Sequence, residues 1–197
     1  MGAPLRTPAE AVEALSEAID IVRGIWDVSA PHGVRVEGKH YHVQVAQRGP
    51  SPAHDISIWV PAGGLRMRRL VGEKADGWIS GGAWMTHVDN ELATGNRIID
   101  EAATAAGRDP RDIRPIFDSR GSFSPTRRGF LQGPPRQWVE DLLPLVIEQG
   151  VSIFILVGDD PRAIERWSRE VAPALREAVE REREDGEAAR SSPQPLA

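Results

Sequence analysis

Apolar positions along this chain change period several times, and each change marks an element. Thr7-Pro8-Ala9-Glu10 has the form of a capping box with proline at the first helical position. Val12, Leu15, Ile19, Val22, Ile25 and Trp26 then continue as one stripe, which predicts a helix over 8–26. After Asp27 the period falls to two: Val34 and Val36, a Glu37-Gly38 turn, then Tyr41 and Val43. This predicts a small surface hairpin over 34–45, with His40 and His42 on one face of its return strand. Gln47 to His54, carrying Pro50 and Pro52, reads as a connector.

The stretch from Asp55 to Ile79 has a different character. Ile56, Ile58, Trp59 and Val60 form a short apolar run suited to a buried strand, and Pro61 is expected to stop it. Ala62, Gly63 and Gly64 permit a tight turn. Leu65, Met67, Leu70, Val71 and Ala75 then recur at helical spacing, with Arg66, Arg68, Arg69, Glu73 and Lys74 assigned to the other positions. Asp76 and Gly77 end that helix, and Trp78 and Ile79 open a second strand one helix later, so the two strands should run parallel with a right-handed crossover.

The alternation continues to the end of the chain. Ser80-Gly81-Gly82 closes the second strand, and Trp84, Met85 and His87 fall in a loop. A helix capped by Asp89 or Asn90 runs through Leu92, Ile99, Ala102, Ala103 and Ala106 to a stop at Gly107. Ile113, Ile116 and Phe117 mark a third strand, and Ser119 to Gly133, with Arg120, Arg127 and Arg128, reads as an irregular loop long enough to be functional. Gly133-Pro134-Pro135 introduces a helix with Trp138, Val139, Leu142, Leu143, Val146 and Ile147 inward, bent by Pro144 and stopped at Gly150. Val151 to Val157 is the fourth strand. Asp159-Asp160-Pro161 caps a last helix with Ile164, Trp167, Val171, Leu175 and Val179, bent at Pro173. From Glu180 the chain turns charged and then Ser/Pro-rich, which predicts a disordered tail over 180–197 behind one domain over 1–179. Four βα units in strict alternation predict an α/β fold with a parallel sheet.

The chemistry such units offer sits at the strand-to-helix turns. Backbone N–H groups of Gly63, Gly64 and Leu65 would lack intrahelical acceptors, the helix dipole adds positive potential, and glycine lets an anion approach the main chain. The same glycine pair also suits a turn with no ligand at all. His40 and His42 suit either a metal or a solvated strand face, and without a third ligand nearby no metal site is assigned. The loop arginines suit either an anionic substrate or plain solvation. A formal net charge of -5, with pI about 5.6, argues against nucleic acid as a partner. With no cysteine and no apolar run of membrane-span length, thiolate chemistry is excluded, no membrane partner is expected, and the chain is placed in the cytoplasm.

Four segments together resemble the C-terminal half of luciferase-like flavin or deazaflavin monooxygenases and oxidoreductases: IWVPAGGLRMRRLVGEKADGWIS, IDEAATAAGRDPRDIR, GFLQGPPRQWVEDLLPLVIEQGVSIFILVGDD and IERWSREVAPALRE. The resemblance implies a TIM-barrel-like fold binding FMN or the deazaflavin coenzyme F-420, with barrel strands five to eight at 56–60, 78–80, 113–117 and 151–157. The family's turn, often close to GALGPRM, corresponds to Pro61 to Met67. Gly64, Arg66 and Met67 match, whereas Pro61 replaces a usual glycine and Leu65 a usual proline. The implied cofactor-binding residues are Ala62, Gly63, Gly64, Leu65, Arg66, Ser80 and Gly81. No catalytic residue is assigned: His87 and Asp118, near strand ends, are expected to be structural.

A closed eight-stranded barrel takes about 250 residues, so the resemblance implies half an enzyme whose sheet edges need a partner. That partner is either a second copy or another chain supplying the first four strands. The function implied is a flavin- or deazaflavin-dependent oxidoreductase acting on a small organic substrate. The alternatives are a non-catalytic half-barrel accessory subunit and a flavodoxin-type phosphate-binding module.

Overall fold

A computed structural model describes residues 5–29, 31–81 and 88–191. Its contacts form two compact units, where one domain is the sequence expectation. The first comprises the residues up to Ile79 with Gly95–Arg114, and the second comprises Ser80–Thr94 with the residues from Pro115 onward.

In the first unit, helix α1 (Pro8–Trp26) begins on the predicted capping box. The Thr7 hydroxyl accepts from the Glu10 amide at 3.3 Å, and the Glu10 carboxylate accepts from the Thr7 amide at 2.8 Å. Strands β1 (Val34–Glu37) and β2 (His42–Ala46) pair antiparallel as a hairpin. Tyr41 and His40 belong to the connecting segment and not to the return strand, because the Glu17 carboxylate holds that segment. It accepts the amides of Lys39, His40 and Tyr41 at 2.9, 2.9 and 3.0 Å.

Desolvation raises the Glu17 carboxyl, and the three N–H donors outweigh it, so its pKa lies below the ordinary 4.5. A depressed folded pKa means this anchorage stabilises the fold above about pH 4.5 and is lost as pH falls through the folded value. Glu17→Gln should therefore melt lower than the parent at pH 7, with the difference shrinking at pH 3. Equal differences at both pH values in thermal melts would contradict the assignment.

Strand β3 (Trp59–Pro61) runs parallel to β4 (Gly77–Gly81), in the register Trp59↔Gly77, Val60↔Trp78 and Pro61↔Ile79. The strand expected over 56–60 is therefore shorter and ends on Pro61. It is also not fully buried: Val60 is 4% exposed, whereas Ile56 and Trp59 are each 40% exposed. Among the described residues β3 pairs only with β4, and an edge strand tolerates a proline without a donor. Ile58 is held outside the strand by Asp76, whose carboxylate accepts the Ile58 amide at 2.8 Å and whose amide donates to the Ile58 carbonyl at 2.8 Å.

Helix α2 (Leu65–Lys74) buries Leu70 and Val71, but Leu65 is half exposed and Arg68 is inside. Helix α3 (Val88–Ala105) already includes Asp89 and Asn90, so neither is its cap. The loop residues Gly82, Trp84, Met85 and His87 lie outside the described residues. Gly107 follows the helix at φ +73° and supplies the predicted stop.

In the second unit, β5 (Arg114–Ser119, its first residue belonging to the first unit) runs parallel to β8 (Ile153–Leu156), from Ile116↔Ile153 to Ser119↔Leu156. Pro115 is tolerated because its carbonyl still accepts from the Ser152 amide, at 3.0 Å. The stretch predicted as irregular contains two short paired strands, β6 (Ser122–Phe123) and β7 (Gln132–Gly133). Helix α4 (Pro135–Ile147) contains Pro144 and buries Gln137, Trp138, Leu142 and Leu145. Ile147, predicted inward, is 44% exposed, because Leu145 and not Ile147 continues the face of Trp138 and Leu142.

All four β8 side chains are half-buried, whereas full burial is the sequence expectation. After α5 (Pro161–Arg166) comes one wide π turn, Trp167–Val171, and then α6 (Ala172–Ser191). The Ala172 amide reaches back five residues to the Trp167 carbonyl, which makes room where Pro173 lacks a donor and its ring would strike the preceding turn. Helix α6 continues past Glu180 to Ser191, so most of the predicted disordered tail is helical. The Glu- and Arg-rich run has good intrinsic helix propensity. No described helix is long and apolar enough to cross a membrane.

Candidate functional site

The corner between β3 and α2 is built from its own backbone. Gly64 is the helix N-cap, in extended conformation (φ -98°, ψ 156°), with no side chain capping the helix and no acidic residue in the first turn. The first helical amide to find a backbone acceptor is that of Arg68, which donates to the Gly64 carbonyl at 3.0 Å. The amides of Leu65, Arg66 and Met67 therefore precede the helical ladder and point at the corner. Gly63, Gly64, Leu65 and Arg66 are exposed. A Cβ on Gly64 would meet nothing within 4 Å, so neither backbone angle nor internal space demands glycine there.

Behind this open face the corner is fixed. Ala62 is buried, and its carbonyl accepts from the Trp78 indole N–H at 2.9 Å and from Arg68 Nε at 3.5 Å. The Ala62 amide donates to the Ile79 carbonyl at 3.4 Å. Trp78 is 1% exposed, and the Arg68 guanidinium lies over its ring, 5.4 Å from the centroid. Of the sequence-derived candidates, the structure thus brings Ala62 to Arg66 together, with Ala62 as the support and the other four as the face. The Arg68 contribution is invisible in the sequence: helical spacing assigns it to solvent, and the ring that covers it lies on another element.

Ser80 and Gly81, at the end of β4 in the second unit, answer to the fold. Ser80 is 3% exposed and its hydroxyl donates to the Ile116 carbonyl at 2.8 Å. Gly81 adopts φ +96°, and a Cβ there would lie 2.8 Å from the Asp118 carbonyl oxygen. Burial raises the Asp118 carboxyl above its ordinary value, and nearby Arg120 lowers it less. With the folded pKa raised, ionisation of Asp118 opposes folding above that value. Asp118→Asn should therefore raise the melting temperature at pH 7 and lose that advantage below about pH 3, where both states are protonated. An unchanged or lower melting temperature at pH 7 would contradict this.

The remaining candidates are engaged elsewhere. His40 contacts Glu13 at 3.0 Å and His42 contacts Glu37 at 3.3 Å, and no group of metal-ligating side chains occurs among the described residues. Arg127 pairs with Asp141 at 2.6 Å. A cleft of about 900 Å³ in the second unit is lined by Phe123, Trp138, Arg166 and Arg169, but these two arginines are paired with Glu170 and Glu165.

The geometry thus defines a parallel βα protein with an open, uncapped, cation-backed strand-to-helix corner. The chain belongs to the luciferase-like monooxygenase family, whose model matches residues 1–128. Among curated relatives, it is 28% identical over 164 residues to an F420-dependent glucose-6-phosphate dehydrogenase of Microbacterium testaceum (strain StLB037), covering 82% of this chain and 44% of that one. It is 30% identical over 142 residues to the phthiodiolone/phenolphthiodiolone dimycocerosates ketoreductase of Mycobacterium kansasii, covering 69% and 34%. The chain thus spans less than half the length of these relatives.

Among solved structures, it resembles riboflavin lyase with modified FMN and riboflavin, with a TM-score of 0.74 at 14% identity over 90% of this chain and 60% of that one. It also resembles the coenzyme F420-dependent tetrahydromethanopterin reductase of Methanopyrus kandleri, with a TM-score of 0.68 at 16% identity, covering 83% and 63%. The fold is that of part of a luciferase-like TIM barrel, and the kinship supports a flavin or deazaflavin as the family's cofactor.

Proposed function

We propose that this chain contributes the cofactor-phosphate site of a flavin- or deazaflavin-dependent oxidoreductase acting on a small organic substrate, with the β3–α2 corner receiving the phosphate of FMN or F-420. The observation that carries this reading is the bare N-cap at Gly64. Three amides point outward past a glycine that nothing inside the protein requires. Gly63, Gly64, Leu65 and Arg66 would hold the phosphate through main-chain N–H groups, and no salt bridge joins Arg66 to another described residue. The cofactor supplies the redox chemistry, and the protein supplies binding, orientation and exclusion of water. The half-exposed apolar side chains of β8 and the exposed Trp59 of β3 favour association with a second copy or with a chain supplying further strands.

Gly64→Asp tests the site. An aspartate at an extended N-cap position suits the helix and should leave stability equal or slightly higher, while its carboxylate occupies the amides and repels a phosphate. Fluorescence titration with FMN and with F-420 should show affinity reduced about tenfold or more, in line with the loss of one or more charge-assisted hydrogen bonds. Riboflavin, which has no phosphate, should bind the variant and the parent alike. Unchanged affinity for both phosphorylated cofactors would refute the assignment.

A further inference from the structure

Arg68 is anomalous for a residue on a surface helix. It is 91% buried by its 9% exposure, yet no carboxylate pairs with it among the described residues. Its one hydrogen bond is the long contact from Nε to the Ala62 carbonyl, and its two η nitrogens, which stay open to solvent, have no protein partner among those residues. A guanidinium this far inside, with no counter-ion, gives up much of its hydration, and stacking on an indole offsets only part of that cost. The side chain starts from the first turn of α2 and reaches back to Ala62, as helical side chains do when they lean toward the N-terminus. This places its charge at the same corner as the outward amides of Leu65, Arg66 and Met67. Helix terminus and unpaired cation are independent features that converge on one spot.

We infer that Arg68 is the buried counter-ion of the bound phosphate, a binding residue beneath the glycine corner whose missing anionic partner is the ligand. This rests on the reading of the corner as a phosphate site, and it adds what that reading lacks: a charge-specific contact from a side chain. The main-chain amides fix the position of the phosphate. The guanidinium, oriented by the Trp78 ring and the Ala62 carbonyl, makes the site selective for anions over neutral ligands. The shared chemistry is a phosphate ester, either the monoester of FMN or the diester of F-420.

The test compares the parent chain with Arg68→Met, which keeps the length and apolar stem of the side chain, and with Arg68→Lys, which keeps its charge. Each is titrated with FMN, riboflavin, F-420 and the deazaflavin lacking the phosphate-bearing tail. Arg68→Met should weaken the phosphorylated member of whichever pair binds by about tenfold and leave its unphosphorylated counterpart unchanged, and Arg68→Lys should recover part of the loss. A role confined to packing would weaken both members of a pair equally, or neither, and would overturn the inference.

If the parent itself fails to distinguish phosphorylated from unphosphorylated ligands, the phosphate reading of the corner falls, and the inference with it. If the parent discriminates and Arg68→Met does so equally well, only the inference falls. Should Arg68→Met not fold, thermal melts of the parent and Arg68→Lys with inorganic phosphate give the answer. A phosphate-dependent rise in melting temperature that is smaller in Arg68→Lys supports the counter-ion role, and equal or absent rises overturn it.

Discussion

Gly95→Val should yield a protein that is largely unfolded or destabilised by about 3 kcal/mol, the upper end of the range for forced overpacking of a core. The α3 backbone at Gly95 passes directly against the Trp78 indole, and a Cβ there would penetrate the ring's van der Waals envelope. Trp78 has little room to move, being 1% exposed and tied by its indole N–H to the Ala62 carbonyl. Any retreat of the ring would pull the support from under both Ala62 and Arg68. Under the proposed phosphate reading of the corner, the milder Gly95→Ala should lower affinity for the phosphorylated cofactor alongside stability. Chemical denaturation with parallel ligand titration checks both, and a Gly95→Val protein with parental midpoint and affinity would show that this packing is not the support described.

The second large effect is expected at Asp76. Its carboxylate accepts the Ile58 amide at 2.8 Å and Arg23 at 2.7 Å, with Arg108 at 3.7 Å, and its own amide returns a bond to the Ile58 carbonyl. This one residue ties α1, the residue preceding β3 and the start of β4 together within the first unit. Asp76→Ala leaves the Ile58 amide without its acceptor, removes one of the two acceptors of Arg23 and the nearby charge facing Arg108, and should cost about 2–3 kcal/mol. Asp76→Asn, which keeps one carbonyl-type oxygen, should lose less than half of that. In urea denaturation the midpoint should fall with an unchanged slope. A midpoint within error of the parent for Asp76→Ala would mean that β3 is positioned by something other than this carboxylate.

Much of the architecture was legible from residue patterns, and the parts that were legible share a cause. The capping box at Thr7, the stops at Gly107 and Gly150, the glycine corner and the parallel order of β3 and β4 depend on interactions within a few residues or on one crossover rule. The family kinship was legible for a related reason. The order of several local motifs survives even where each one is modest, and the matched family model bears that reading out. The candidate site was legible only as a stretch of backbone. Gly63 to Arg66 do face outward at one corner, whereas Ser80 and Gly81 have demands of their own in the packing of β4 against β5.

The elements, their alternation and the bare glycine turn follow from local residue order, because hydrogen bonding along the chain and side-chain periodicity act at short range. Which residues are inside was decided by tertiary structure. Arg68 sits under Trp78 although its spacing assigns it to solvent, Leu145 replaces Ile147 in the α4 face, and Trp59 stays exposed on an edge strand. Burial depends on what packs from elsewhere in the chain. A charge buried in this way shows in the sequence only as one more arginine, and its meaning emerges when the indole above it and the open amides beside it share one place.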